Sequence, residues 1–245
     1  MLELRSLLAD CAQRRRDSVC NGCGARAFSV CSSLGDEDLV RLDAIAERIT
    51  APAGQALARQ GERADHVFNL TSGSARVFKL LPDGRRQIIG FLFAGDFIGL
   101  AGGDDYAMSV EAIEDVSVCR FRRSDYRALA HERPALESAL LDRVMHELAA
   151  AREQMLLLGR KTALERIASF LNDIRSRDPS RPTGQDIVRL PMTRAEIADY
   201  LGLTIETVSR GLTRLQSAGV IRKLSLSELH IDRPDRLKAI AEGEG

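Results

Sequence analysis

Residues 193–219 read TRAEIADYLGLTIETVSRGLTRLQSAG, and this stretch restricts the possible folds more than any other part of the chain. Thr193 followed three residues later by Glu196 is a capping box, opening a helix that turns Ile197, Ala198 and Leu201 inward. Gly202 stands where a tight turn between helices needs a residue that tolerates positive φ. Thr204 can cap a second helix, and Gly219 lies just past its end. In that second helix Ile205, Val208, Leu212 and Leu215 share one face, and Glu206, Ser209, Arg210 and Thr213 share the opposite one. An ordinary hairpin with a solvated face would not need so many agreeing signals. The pattern is a helix-turn-helix whose second helix offers its N-terminal residues to the major groove of double-stranded DNA. Arg210 can pair bidentately with guanine O6 and N7, Glu206 can accept from cytosine N4, and Ser209 can do either. Arg194, Thr204, Thr213 and Arg214 are candidate backbone contacts, which position without specifying sequence. Residues 220–231 (VIRKLSLSELHI) predict two short strands and a turn, a wing.

Upstream the pattern is different. Candidate strands fall at Gln55–Arg59, His66–Leu70, Ser74–Leu80, Gln87–Phe93, Ser109–Ala112 and Ser117–Phe121, separated by turns such as Pro82-Asp83-Gly84 and Gly95-Asp96. Strands at this spacing predict a small β-roll. From Pro134 a helical run continues without a breaker to Leu158. Along it Leu141, Val144, Leu148, Ala151, Met155 and Leu158 alternate three and four apart, the pattern of a coiled-coil seam. Two readings stand: a helix buried on its own β-roll, or the seam of a homodimer, which the sustained alternation favours. Thr162–Ile174 predicts a further amphipathic helix, residues 176–185 (SRDPSRPTGQ) a loop, and Ile187–Leu190 a short strand.

Composition narrows the function classes. The 245 residues balance 35 Lys and Arg against 35 Asp and Glu, so the chain does not coat nucleic acid by bulk charge. The positive charge is local: Thr204 to Lys223 holds four basic residues and one acidic one. No apolar run approaches the roughly 20 residues of a membrane span, and the first 16 residues lack signal-peptide order, which predicts a cytoplasmic protein. His66, His131, His146 and His230 are scattered, and neither a Ser-His-Asp nor a Cys-His arrangement supports an enzyme. The five cysteines are Cys11, Cys20, Cys23, Cys31 and Cys119. An odd number without an export signal is a poor disulfide set and points to metal or redox chemistry.

A β-roll, a long helix and a C-terminal winged helix-turn-helix, in that order, resemble the CRP/FNR superfamily of bacterial transcription regulators. The resemblance covers nearly the whole chain. Glu206-Thr207-Val208-Ser209-Arg210 is similar to the FNR-type E-x-x-S-R reading signature, which implies palindromic sites of the form TTGAT-N4-ATCAA. Cys20-x2-Cys23-x7-Cys31 with the distant Cys119 resembles the set by which FNR-type regulators hold an oxygen-labile [4Fe-4S] cluster. The resemblance thus implies that this cluster stabilises the paired helices, and that oxygen destroys it and lowers DNA affinity. Cys11 is outside that pattern. Structural zinc on the same four thiolates, or a dithiol switch without metal, are the alternatives, giving a redox- or zinc-dependent regulator of the same superfamily without a cluster. The resemblance also implies contact with RNA polymerase, for which the Pro82–Arg86 turn and the Gly95–Gly99 loop are candidates expected to be exposed. The cyclic-nucleotide cassette of the CRP branch is missing: Gly95 to Ala112 reads GDFIGLAGGDDYAMSVEA, without arginine and with Asp104-Asp105 to repel phosphate. Cyclic nucleotide is therefore not an expected ligand.

The expected architecture is α+β: a cysteine-bearing segment over 1–35, a β-roll of the cyclic-nucleotide-binding type over 36–130, a dimerisation helix over 134–158 and a winged helix-turn-helix over 160–245. Its seam is uncharged around Leu148 to Ala151, with Glu147 and Arg152 beside it, which predicts a dimer that survives cluster loss.

Overall fold

The computed structural model describes residues 19–99, 103–178 and 186–244. Cys11 and most of the 176–185 loop lie outside the described residues. Three short 3-10 turns, Val19–Gly22, Arg26–Phe28 and Val30–Ser33, lead into helix α1, Asp36–Ala44. Asp36, Glu37 and Asp38 occupy its first turn, where the helix dipole favours negative charge.

Eight strands follow: β1 Ala46–Ala51, β2 Ala56–Ala58, β3 His66–Ser72, β4 Ala75–Leu80, β5 Arg86–Leu92, β6 Phe97–Ile98, β7 Ser109–Ala112 and β8 Val116–Arg122. They form two four-stranded sheets, ordered β1-β8-β3-β6 and β2-β7-β4-β5, with antiparallel pairs throughout. Leu70, Ala75, Ile98, Val110, Ala112 and Val118 fill the space between them. The six expected strands are present within two residues of their expected ends. β1 and β6 are additions: AERITA has no apolar alternation, and β6 has only two residues, so both depend on pairing with distant strands.

Helix α2, Arg123–Glu132, leads to α3, Pro134–Arg160, with Pro134 in its first turn. Leu136 and Ala139 bury one face of α3 beneath Val30, Leu34, Leu39, Leu42 and Tyr126. The seam residues Leu141, Val144, Leu148, Ala151 and Met155 are exposed, Met155 at 66%, and Leu158 is also largely open. The seam is therefore not covered by the chain's own β-roll, and the buried-helix reading is set aside.

The last unit holds α4 Ala163–Arg177, β9 Ile187–Arg189, α5 Arg194–Leu201, α6 Ile205–Ser217, β10 Ile221–Lys223, β11 Glu228–Ile231 and α7 Pro234–Ala241. Both capping boxes, Thr162/Glu165 and Thr193/Glu196, form. Gly202 adopts the left-handed conformation at φ 61°, as the turn between α5 and α6 requires. The wing strands β10 and β11 join β9 in one sheet.

Two expectations are corrected. Ile205 does not join the buried face of α6 but is 47% exposed, because the first helical turn projects past the core formed by Val208, Leu212 and Leu215. The Gly95–Gly99 loop is not an exposed surface: Gly95, Phe97 and Ile98 are buried, and the Phe28 carbonyl lies where a Cβ on Gly95 would stand, 2.6 Å away. Phe78, Ile88, Phe91 and Phe93 of the β-roll pack with Phe170, Ile197 and Leu201 of the last unit.

Candidate DNA-reading head and cysteine site

The reading head is built from local signals. Thr204 Oγ1 accepts the Thr207 N–H at 3.2 Å and so caps α6. Val208 and Leu215 are buried, which turns Glu206, Ser209 and Arg210 outward together, all exposed. The Glu206 carboxyl is held below its usual range by its own backbone N–H, the Thr204 hydroxyl and Arg210 one turn on. It is thus an ionised acceptor, the state that recognition of a cytosine amino group requires.

Gly211 lets the helices approach closely: a Cβ there would stand 2.3 Å from Ile167 Cδ1 of α4. The candidate backbone contacts are less uniform. Thr204 is engaged as the cap, and the Thr213 hydroxyl donates to the Ser209 carbonyl at 3.0 Å. Arg194 is half-buried, and desolvation lowers its pKa. Arg214 lies near the C-terminal end of α6, where with Arg233 and Arg236 it lines a cleft of about 660 Å³.

The cysteines form the second site. Cys20, Cys23, Cys31 and Cys119 are all partly exposed, and none is in a disulfide. Cys20 and Cys23 on the N-terminal turns and Cys119 on β8 line one cavity of about 440 Å³. Cys31 lies on the third turn, half-buried against the cluster that holds Tyr126 and Leu136. Burial pushes the Cys119 thiol up to about 11, Arg48 draws it down, and the other three cysteines push it up. Burial likewise raises Cys31, with opposing help from the Ser29 hydroxyl and further upward pressure from Cys20 and Cys23.

Arg48 also lines the cavity, a position that sequence patterning did not single out. Asn69 and Tyr126, on the sheet face and helix beneath the cysteine turns, are each 3% exposed. The Asn69 Oδ1 and the Tyr126 hydroxyl are buried there without a hydrogen-bond partner. Among the described residues no three His, Cys, Asp or Glu side chains are close enough to grip one metal ion.

Comparison with known proteins agrees with this architecture. Residues 48–133 match the family model of the cyclic nucleotide-binding domain, and residues 165–240 that of the Crp-like helix-turn-helix domain. The chain is 43% identical over 199 residues to the transcriptional activatory protein AadR of Rhodopseudomonas palustris, covering 81% of this chain and 83% of that protein. It is 39% identical over 222 residues to the nitrogen fixation regulation protein FixK of Bradyrhizobium diazoefficiens, covering 91% and 93%. Among solved structures, FixK2 from Bradyrhizobium japonicum superposes with a TM-score of 0.74 at 36% identity, covering 80% of this chain and 97% of that one. With a roll, a long helix and a reading head in the same order as these relatives, the chain belongs to the CRP/FNR family of DNA-binding transcription regulators and is not an enzyme.

Proposed function

We propose that this chain is an oxygen-responsive regulator in which an oxygen-labile [4Fe-4S] cluster on Cys20, Cys23, Cys31 and Cys119 controls dimer geometry and binding to TTGAT-N4-ATCAA. The observation that carries the reading is the placement of the thiols. Cys20 and Cys23, in and just after the first 3-10 turn, line one cavity with Cys119 of β8, and Cys31 lies on the third turn, 88 residues before Cys119. A four-iron cube takes its thiolates from separate corners, whereas zinc draws four sulfurs to about 2.3 Å of a single ion. Thiols offered from the N-terminal turns and from a separate strand match the separate corners of a cube.

The polar surroundings are compatible with a negatively charged thiolate set. Arg48 supplies a cation, and the unpartnered Tyr126 hydroxyl supplies a donor beside Cys31. When bound, the cluster supplies the reaction with oxygen. The protein's own residues supply the route to DNA. Val30 and Leu34, flanking Cys31, pack on Leu136 and Ala139 at the start of α3. A displacement of the cysteine turns therefore bears directly on the helix whose exposed seam pairs two copies.

Cyclic nucleotide does not enter this reading. The described cavity inside the roll has about 60 Å³ of space, and its lining includes Phe97, Tyr106, Val110 and Glu147 of α3 but no arginine. RNA polymerase contact falls to the exposed Pro82–Arg86 turn.

A gel shift with a TTGAT-N4-ATCAA duplex tests the function as a whole. Tight binding by anaerobic protein that weakens after air exposure is expected. Binding of equal strength before and after air would exclude oxygen control.

A further inference from the structure

Beyond the long helix, the roll holds the reading head through a second set of contacts, made between the edge strand β5, its neighbour β4 and the first helix of the helix-turn-helix. Glu196 of α5 is 5% exposed and uses both carboxylate oxygens. Oε2 accepts the Thr193 N–H at 2.7 Å and the Thr193 hydroxyl at 2.9 Å, and Oε1 accepts from the Arg76 guanidinium of β4. Arg76 also pairs with Glu111 on β7.

One helical turn on, Asp199 Oδ1 accepts the Ile88 N–H of β5 at 3.1 Å, and the Asp199 carbonyl accepts from Gln87 at 2.8 Å. β5 is the last strand of its sheet, so the Ile88 N–H finds its partner in a side chain from α5. Phe91 of β5 then stacks edge-on against Tyr200 of α5, with ring centres 5.4 Å apart. The Tyr200 carbonyl accepts from Gln154 of α3 at 3.1 Å. Helix α5 is held between the roll and the dimerisation helix.

The buried carboxylate is the telling feature. Glu196 completes its capping box with one carboxylate oxygen alone, and an apolar contact would satisfy packing. A guanidinium reaching across from another sheet adds direction, since charge-assisted hydrogen bonds fix geometry more tightly than apolar burial does. In a helix-turn-helix the first helix crosses the DNA backbone and carries the second into the groove, so the orientation of α5 is the aim of α6.

We infer that Arg76 and Asp199 are positioning residues for DNA recognition: by fastening α5 to β4 and β5 they set the angle and separation at which the two α6 helices of a dimer meet DNA. A shift of the roll thus reaches the reading head through these residues as well as through α3.

The test uses the full-length protein and the palindrome that the wild-type chain selects from a random duplex pool, so it does not depend on the half-site sequence proposed above. Binding is measured on that duplex, on the same duplex with its spacer changed by one base pair, and on a single half-site. Wild type should prefer its selected spacer by about tenfold, because one base pair turns the second half-site away from its helix. Arg76→Met and Asp199→Ala should each bring that preference within about threefold while half-site affinity holds, and Arg76→Lys should restore part of it. Dimer size and thermal unfolding are recorded for each variant. A folded, dimeric Arg76→Met or Asp199→Ala protein that keeps the wild-type spacer preference overturns the inference. Equal loss on every duplex, half-site included, also overturns it by reducing the contact to a structural one.

Discussion

Arg48 of β1 and Cys119 of β8 stand directly opposite each other across the antiparallel ladder, and Asn69 of β3 pairs with the same cysteine from the other side. Residues opposed in this way carry their side chains on one face, with Cβ atoms about 5 Å apart. The fourth thiol is therefore flanked by a cation and a buried amide. Its cationic neighbour matters for a negatively charged ligand set, since like charges on four thiolates repel.

Arg48→Gln should leave iron content near wild type and lower the reduction potential by tens of millivolts, on the order of 1 kcal/mol for a charge at this range. Redox titration under argon measures it. An unchanged potential would show that Arg48 is neutralised by Asp43, with which it is paired.

Arg210→Ala removes an exposed guanidinium from α6, the group proposed to read guanine. Binding should weaken by about 1–3 kcal/mol per half-site and specificity should relax at one base pair. Competition gel shifts with single-base variants of the site read both effects. A uniform loss at every position would make Arg210 a backbone contact instead.

Leu148 and Met155 leave the long helix as exposed apolar side chains on one seam. Leu148→Asp should place two carboxylates together across a paired seam and convert dimer to monomer in size-exclusion chromatography. Wild-type protein stripped of metal should remain dimeric, because the seam around Leu148 to Ala151 carries no charge. A clean monomer would contradict that strength.

Gly211→Ala improves intrinsic helix propensity by about 1 kcal/mol yet should destabilise the protein. The new methyl would press on Cδ1 of Ile167, which is 1% exposed and must shift within the core to admit it. A net loss of up to about 2 kcal/mol in denaturant unfolding is expected, an overpacking cost of about 1–3 kcal/mol set against the propensity gain.

Tyr126→Phe removes a buried hydroxyl to which no protein group offers a hydrogen-bond partner. Metal-free stability should hold or rise by about 1 kcal/mol, since an unsatisfied buried group costs about that much. Thermal unfolding of metal-free protein gives the sign.

Local chemistry made the reading head legible. Thr193, Glu196, Gly202, Thr204 and Gly219 act within a few residues of themselves, and each cap or turn that they imply is present. The long helix and its apolar stripe were legible for the same reason, as a repeat along one helix. Strand β1 and helices α1, α2 and α7 were not read, because AERITA and PDRLKAIA gain their apolar partners only from distant elements. The second role of Glu196 was hidden too: in sequence it is half of a capping box, and its bond to Arg76 spans 120 residues. Likewise Arg48 carries no motif, and its place beside Cys119 exists only through the register of β1 on β8.

The central claim is that Cys20, Cys23, Cys31 and Cys119 together hold a four-iron cluster. Iron and acid-labile sulfide, quantified per chain in anaerobically purified full-length protein, test it most directly. The account predicts about four of each per chain, with a broad visible absorbance that bleaches in air and is absent from Cys119→Ser. Colourless protein with zinc, or with no metal and no sulfide, would contradict it.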